Sequence, residues 1–321
     1  NNLDGNDSIV FQYSSYDKVG NRKNMLVDGN ESKYYYDKLY QLVFADYPAA
    51  WSVADVNYYY DALGSRTSTY NGSTTTYNRN NLNQYTSVGG TNYSYDDNGN
   101  LTNDGTYIYT YDVENRLIDV NDANGNIAEY KYDYSGRRVS KTVGGTITKY
   151  CYDGDQIIAE YDGNDTLLRK FIYGPGIDEP VCMIDVVGGD KVYYYHFDGL
   201  GSVRALSDAN GVVAETYSYD VFGEPNRISS IGNSYLFTGR EYDTETGNYY
   251  YRARHYKPSI GRFLQTDTIG YSDGLNLYTY VGNNPPTYVD PLGLWRSPEH
   301  KQLLLLAMRR SGFTQEQIDR A

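Results

Sequence analysis

Three methionines, three histidines, two cysteines and two tryptophans among 321 residues leave little material for several common chemistries. His196, His255 and His300 are scattered, and no H-E-x-x-H run sets two imidazoles one helical turn apart. The sequence therefore offers no metal site and asks for no cofactor. Cys151 and Cys182 are too few for a disulfide framework and form no C-x-x-C pair; they read as small buried hydrophobes or as a single disulfide. No apolar run is long enough for a signal segment or a membrane span. Positive charge is scarce as well: 28 Lys and Arg against 41 Asp and Glu give a formal net charge of −13, which argues against binding a phosphate backbone. The chain opens on Asn rather than Met. We read it as part of a longer chain, so a missing leader says nothing about location.

What is abundant is tyrosine, 40 residues, and glycine, 32. With frequent Thr, Val and Asn these favour strands joined by tight turns over long helices. Tyr-Asp pairs recur at Tyr16-Asp17, Tyr36-Asp37, Tyr60-Asp61, Tyr95-Asp96, Tyr111-Asp112, Tyr132-Asp133 and Tyr152-Asp153. A degenerate copy, Tyr77-Asn78-Arg79-Asn80-Asn81-Leu82, fills the one wide gap. The spacing is about 16 to 24 residues, the scale of one β-hairpin. Runs such as Thr106-Tyr107-Ile108-Tyr109-Thr110-Tyr111 alternate with the period of two of a half-buried strand. The Asp after each Tyr can accept from backbone two residues on, and the Gly or Asn that follows tolerates positive φ. The unit is thus strand, Asp-anchored turn, strand. A lone hairpin is marginal, so the units must stack. The tyrosines suit packing with a hydrogen-bonded hydroxyl, or else a sugar-binding platform.

The ordered set of motifs makes a resemblance specific. The repeats resemble the YD repeats of the RHS and teneurin group. His196-Phe197-Asp198-Gly199-Leu200-Gly201-Ser202-Val203-Arg204 and Tyr217-Ser218-Tyr219-Asp220-Val221-Phe222-Gly223 resemble the lead-in to the RHS repeat-associated core. Phe237-Thr238-Gly239-Arg240-Glu241-Tyr242-Asp243, the run Tyr251-Arg252-Ala253-Arg254-His255-Tyr256, Gly261-Arg262-Phe263 and Asp290-Pro291-Leu292-Gly293-Leu294 resemble that core itself. The resemblance implies an all-β fold, a YD-repeat hairpin spiral forming part of a hollow shell, over residues 1–180 with the core at 181–294. His196 beside Asp198 reads as a hydrogen-bonded turn residue rather than a catalytic group.

On residues alone, Asp267 and Asp290 are acids near turns. Two carboxylates held close cannot both ionise easily, so one keeps a proton while the other serves as base, as in an aspartic protease. The resemblance implies that use: RHS cores, and the similar C component of insecticidal toxin complexes, carry paired aspartates at these motif positions and cut themselves after the D-P-x-G motif. Here that places the cut between Leu294 and Trp295. A neighbouring arginine would hold one carboxylate ionised or stabilise an oxyanion, Arg254 first and Arg262 second. The first motif reads Asp267-Thr268 where the family usually has Asp-Pro, which removes a Pro-fixed turn.

After Leu294 the grammar changes. Ser297-Pro298-Glu299 looks like a helix start and Gly312 like a C-terminal cap, so residues 295–321 are expected to be a helical beginning of a variable cargo region, with Leu303 to Leu306 packed against a wall. The implied function is a shell that encloses a C-terminal polymorphic toxin and releases it by autoproteolysis. The rival is a cell-surface or wall-associated YD-repeat adhesion or carbohydrate-binding protein without active cleavage. The first reading brings as partners the chain's own cargo, an N-terminal shell partner or secretion machinery, and an immunity protein. Either reading puts the protein outside the cell or on its surface.

Overall fold

In the computed structural model, which describes residues 10–51 and 53–295, the chain is built from antiparallel strands. Among the described residues no α-helix occurs, only short 3-10 turns. The helix expected after Leu294 lies outside them. Nine strands, from Phe11–Gln12 to Thr91–Asn92, pair in chain order, and thirteen more do the same from Ser94–Tyr95 to Val213–Thr216. A separate four-stranded sheet runs from Glu241–Asp243 to Arg262–Phe263. Within each of these two sheets every strand bonds its sequence neighbours, so the first 22 strands form a strip of two consecutive meanders. Its faces alternate as the period of two demands: Tyr34 and Tyr58 are buried while Tyr35 and Tyr59 face out.

The Asp turn is built the same way at Asp17, Asp37, Asp61, Asp96, Asp112 and Asp133, whereas Asp153 pairs with Gln156 across a tighter hairpin. Asp112 Oδ1 accepts from the backbone N–H groups of Glu114 and Arg116, two and four residues on. Its own N–H donates to the Arg116 carbonyl, and Asn115 N–H donates back to the Asp112 carbonyl. The fourth position takes positive φ, at Asn115 here and at Gly20, Gly64, Gly99 and Gly136 in sister turns. In the degenerate copy Asn80 replaces the Asp and accepts from Leu82 and Gln84, because an amide oxygen serves as well as a carboxylate for this purpose.

In five repeats the tyrosine before the Asp stitches its turn to the preceding one. Tyr36, Tyr111, Tyr132, Tyr152 and Tyr219 donate their hydroxyls to the carbonyls of Arg22, Leu101, Leu117, Arg138 and Val203. Each acceptor lies five residues beyond the Asp of the earlier turn. A β-bulge accompanies the tyrosine: register shifts at Tyr36, Tyr60, Tyr111, Tyr132 and Tyr152. Bulges repeated at one margin increase twist there and coil the strip.

The strip coils around residues 238–290. Asn284 Nδ2 donates to Asn21 in the first turn, and Asn283 Nδ2 reaches Gln41 and the Gly64 carbonyl in the next two. Tyr278, Tyr250 and Tyr249 donate to the carbonyls of Gly99, Gly136 and Gly223. One compact segment touched along a whole margin requires the strip to bend round it. The two ends of the strip meet: Gly199 N–H donates to the Tyr13 hydroxyl, Val221 N–H to Tyr47, and the Arg204 guanidinium lies 5.2 Å from the Trp51 ring centroid. A buried ion cluster locks hub to strip, with Arg138 bonding Glu241 at 2.9 Å and Asp243 at 2.7 Å under the Tyr250 ring.

Two smaller expectations need correction. Both cysteines are free; Cys182 is buried as a small hydrophobe, but Cys151 is exposed on an outward-facing strand position, so neither reading covers it. His196 sits on the strand Lys191–Phe197 rather than in the turn, its Nε2 2.8 Å from Ser207 Oγ on the next strand.

At Asp208 the side chain takes the N–H groups of Asn210 and Val212. Asp208→Asn keeps the acceptor and is expected to leave the urea midpoint nearly unchanged, whereas Asp208→Ala strands both donors and costs roughly 1–2 kcal/mol. Equal losses in both variants would refute this account of the turn. A second expectation concerns acid. Burial pushes the Asp112 and Asp133 carboxyls up, but their Arg and backbone hydrogen bonds outweigh it, and both titrate below the usual range. Because these folded values lie below the unfolded one, the stability they add is present above about pH 4 and is lost as pH falls further through the folded values. Thermal unfolding midpoints are expected to hold down to about pH 4 and drop below it; a drop that begins near neutrality would contradict the assignment.

Candidate functional site

The hub's four-stranded sheet delivers the first site residue. Strand Asn248–Tyr251 is buried on both faces and turns through Arg252-Ala253 into strand Arg254–Lys257. Arg254 enters the interior at the start of the second strand, its guanidinium 3.6 Å from the Phe263 ring centroid. Asp267 follows the last strand, Arg262–Phe263, after four residues. The turn at Asp267-Thr268 closes without proline: Asp267 Oδ1 accepts from Ile269 N–H, Gly270 N–H donates to the Asp267 carbonyl, and Gly270 takes φ 65°. Asp290 arrives from the far end of the hub, in the Asp290-Pro291-Leu292-Gly293 turn.

These three side chains meet. Arg254 Nη2 lies 2.9 Å from Asp267 Oδ2 and 3.4 Å from Asp290 Oδ2, and all three side chains are nearly or wholly enclosed. The same arginine donates through Nε to the Gly293 carbonyl at 2.6 Å and through Nη1 to the Leu277 carbonyl. Asp290 turns its other oxygen to the end of the motif: Oδ1 accepts from Leu294 N–H at 2.9 Å, and Trp295 N–H hydrogen-bonds to the same carboxyl. Burial pushes the Asp290 carboxyl above the ordinary carboxylate range; Arg254 and the two backbone donors oppose the rise, and Asp267 adds to it. The result is one acid that holds its proton more readily than a free aspartate, touching the peptide nitrogen of residue 295.

Arg262 is not part of this group. Its Nη1 donates to the Asn83 carbonyl at 2.6 Å and its guanidinium stacks 3.8 Å from the Tyr85 ring centroid. It pins the Asn80 turn to the hub, because its strand position points it at the strip rather than at the aspartates. Arg252, a residue of the motif run without a role assigned from sequence, and Asp178, which the sequence did not single out, lie beside the site instead. Arg252 donates to the Pro291 carbonyl and pairs with Asp178. Asp178, 74 residues earlier, carries no motif that could have marked it.

The Leu294–Trp295 peptide runs between two cavities. One, about 600 Å³, is lined by Asp267, Tyr288, Trp295 and the turn residues Leu39 and Leu63. The other, about 310 Å³, is lined by Leu292, Leu294, Asp178, Arg252 and Tyr250. Among the described residues no cluster of three or more His, Cys, Asp or Glu gathers to hold a metal ion, and none of the described helices is long and apolar enough to cross a membrane.

The comparisons with known proteins agree with this architecture. The family model described as teneurin YD-shell matches residues 7–286. The tRNA nuclease WapA of Bacillus subtilis is 38% identical over 257 residues, covering 75% of this chain and 11% of that protein. The toxin protein Tse5 of Pseudomonas aeruginosa is 28% identical over 251 residues, 64% of this chain and 19% of that one. The crystal structure of TcdB2-TccC3 shares the fold, with a TM-score of 0.72 at 23% identity over 88% of this chain and 17% of its own. The chain spans about a tenth of the length of the WapA relatives it matches.

Gly293 packs the Asp290-Pro291-Leu292-Gly293 turn onto the hub. It takes φ 66°, and a Cβ there would lie 2.5 Å from the Tyr251 carbonyl oxygen and 3.2 Å from Arg254 N. Gly293→Ala is expected to cost about 1–3 kcal/mol, as for a side chain forced into a sparsely populated backbone region. An unaltered chemical-denaturation midpoint for this variant would show that the turn is not held as described.

Proposed function

Since this chain belongs to the teneurin YD-shell family, we propose that it forms the closing part of a hollow shell and cuts its own backbone once, between Leu294 and Trp295. The segment from Trp295 onward is then freed as enclosed toxic cargo. The observation that carries this reading is that Asp267 and Asp290 share the Arg254 guanidinium while Asp290 also holds the Leu294 and Trp295 N–H groups. Two acids and the nitrogen of one particular peptide bond converge, and the substrate is tethered, so no binding step or turnover is required.

In this reading a water reaching the site from the larger cavity attacks the Leu294 carbonyl carbon and gives its proton to Asp267. The tetrahedral centre collapses as Asp290 passes its proton to Trp295 nitrogen and the C–N bond breaks; the Leu294 carboxylic acid so formed gives its proton to the Trp295 amine, and a carboxylate and an ammonium remain. Arg254 fixes both carboxyls and the Gly293 carbonyl, which keeps the peptide registered against the acids. Residues 181–294 act as the RHS core on a YD strip formed by 1–180. The relatives, a tRNA nuclease and a toxin protein, support a toxic activity for the cargo. An immunity protein for the producing cell and secretion or surface display follow from that role. A net charge of −13 leaves the shell itself without nucleic-acid affinity.

Intact mass of the purified chain under denaturing conditions tests the proposal. The expected result is two fragments, the second beginning at Trp295. Asp267→Asn and Asp290→Asn are expected to stay uncut while folding normally, since losing a general acid–base group costs about 10² to 10⁴ in rate. Arg254→Lys slows the cut, because a point charge cannot replace a planar fork. Cleavage also slows as pH rises through the elevated Asp290 value, where the acid loses its proton. A new N-terminus at Pro291 would mean acid scission of the Asp290–Pro291 bond, and a whole chain that binds cells or glycans would favour the adhesion alternative.

A further inference from the structure

Three consecutive residues of one hairpin turn hold three consecutive carbonyls of the cleavage motif. Arg252 Nη1 donates to the Pro291 carbonyl, Ala253 N–H to Leu292, and Arg254 Nε to Gly293. Arg252 does this from an unfavourable place. The loop between strands Asn248–Tyr251 and Arg254–Lys257 has two residues, and its first takes φ 58°, a position that favours glycine. A long charged side chain there adds backbone strain, and such strain gathers where function requires it.

The guanidinium is itself braced. Asp178 receives Arg252 through both oxygens, Oδ1 from Nη2 at 2.6 Å and Oδ2 from Nη1 at 3.1 Å. Asp178 Oδ1 also receives Arg240 Nη1 at 2.5 Å, and Arg240 is anchored through Nε and Nη2 to the Tyr250 carbonyl. Asp178 too stands at positive φ, 55°. A chain of contacts thus runs from the Tyr250 backbone through Arg240, Asp178 and Arg252 to the Pro291 carbonyl, four residues before Trp295. It approaches the motif from the 310 Å³ cavity, on the side that also holds Leu294.

Resting on the self-cleavage reading above, we infer that Arg252, braced by Asp178, is a positioning residue that holds the Pro291-Leu292-Gly293 backbone so that the Leu294–Trp295 bond stays in register with Asp267 and Asp290. It touches neither aspartate of the pair, nor the bond to be cut. Its contribution is geometric. A displacement of about 1 Å at a reacting centre can cost some 10²-fold in rate.

Arg252→Gly separates this role from a structural one. Glycine suits the positive φ, so the fold is expected to be as stable as wild type or more so, while the Pro291 carbonyl loses its donor. The freshly folded chain is followed by intact mass over time, beside Asp178→Asn, Asp267→Asn and wild type. Arg252→Gly and Asp178→Asn are expected to cut roughly 10- to 100-fold more slowly, at the same bond, with unchanged unfolding midpoints and the wild-type pH profile. Arg252→Lys is expected to recover part of the rate. Cutting at the wild-type rate in both Arg252→Gly and Asp178→Asn overturns the inference. So does slower cutting that comes with a lowered unfolding midpoint, because that marks a structural strut. If wild type stays whole, or Asp267→Asn cuts normally, it is the self-cleavage reading that fails, and this inference with it.

Discussion

Everything in this molecule depends on one oxygen atom repeated along the chain. At most strand reversals facing the hub an Asp or Asn side-chain oxygen takes two backbone N–H groups that the turn would otherwise leave unpaired. That fixes the turn, the turn fixes where the next tyrosine falls, and the tyrosine hydroxyl ties the new turn to the last. A net hydrogen bond is worth only about 1 kcal/mol, so no single unit is decisive. The repetition gives a margin of closely similar, outward-pointing carbonyls. The hub then needs only a row of donors, Asn, Arg, Gln and Tyr, to close the strip upon itself.

That logic explains which parts of the fold were legible in the sequence. The strand period, the turn residue and the positive-φ position are local, so they show in residues within about five positions of each other. Asn80 replaces Asp in a copy that was still recognisable, since the device uses only the oxygen. The closure of the strip is not local. Nothing in Tyr13 or Tyr47 announces a partner at Gly199 or Val221, and no pattern separates an outward Cys151 from an inward Cys182. Alternation gives two faces; only the curl decides which one is covered.

The site divides the same way. Arg254, Asp267 and Asp290 lie in a recognisable order of motifs, and the structure brings them to one point. Arg262 shared that signal and went elsewhere, because its guanidinium is spent on the Asn83 carbonyl and the Tyr85 ring. The Asp267 turn kept its shape despite the missing proline, as its own side chain and Gly270 supply what the ring would have imposed. Asp178 was invisible for the opposite reason: its importance comes wholly from a contact 74 residues away.

An arginine set between two buried acids raises a question of charge. Two buried carboxylates alone would be driven to share a proton, and a guanidinium against both weakens that drive. What restores asymmetry is the backbone: Asp290 is bound to the N–H groups of Leu294 and Trp295 and stands above the ordinary range through burial, with Asp267 adding to the rise. The acid that keeps a proton more readily is thus the one adjacent to the Trp295 nitrogen. In the proposed reaction the cut then leaves a Leu294 carboxylate where a neutral peptide stood. That carboxylate and Asp290, now without its proton, set two negative charges around one guanidinium where the acid pair began with one, and the amine that took the proton is no longer a nucleophile that re-forms the amide. In that proposed reaction the substrate is tethered and consumed by the one cut, so a single event is sufficient.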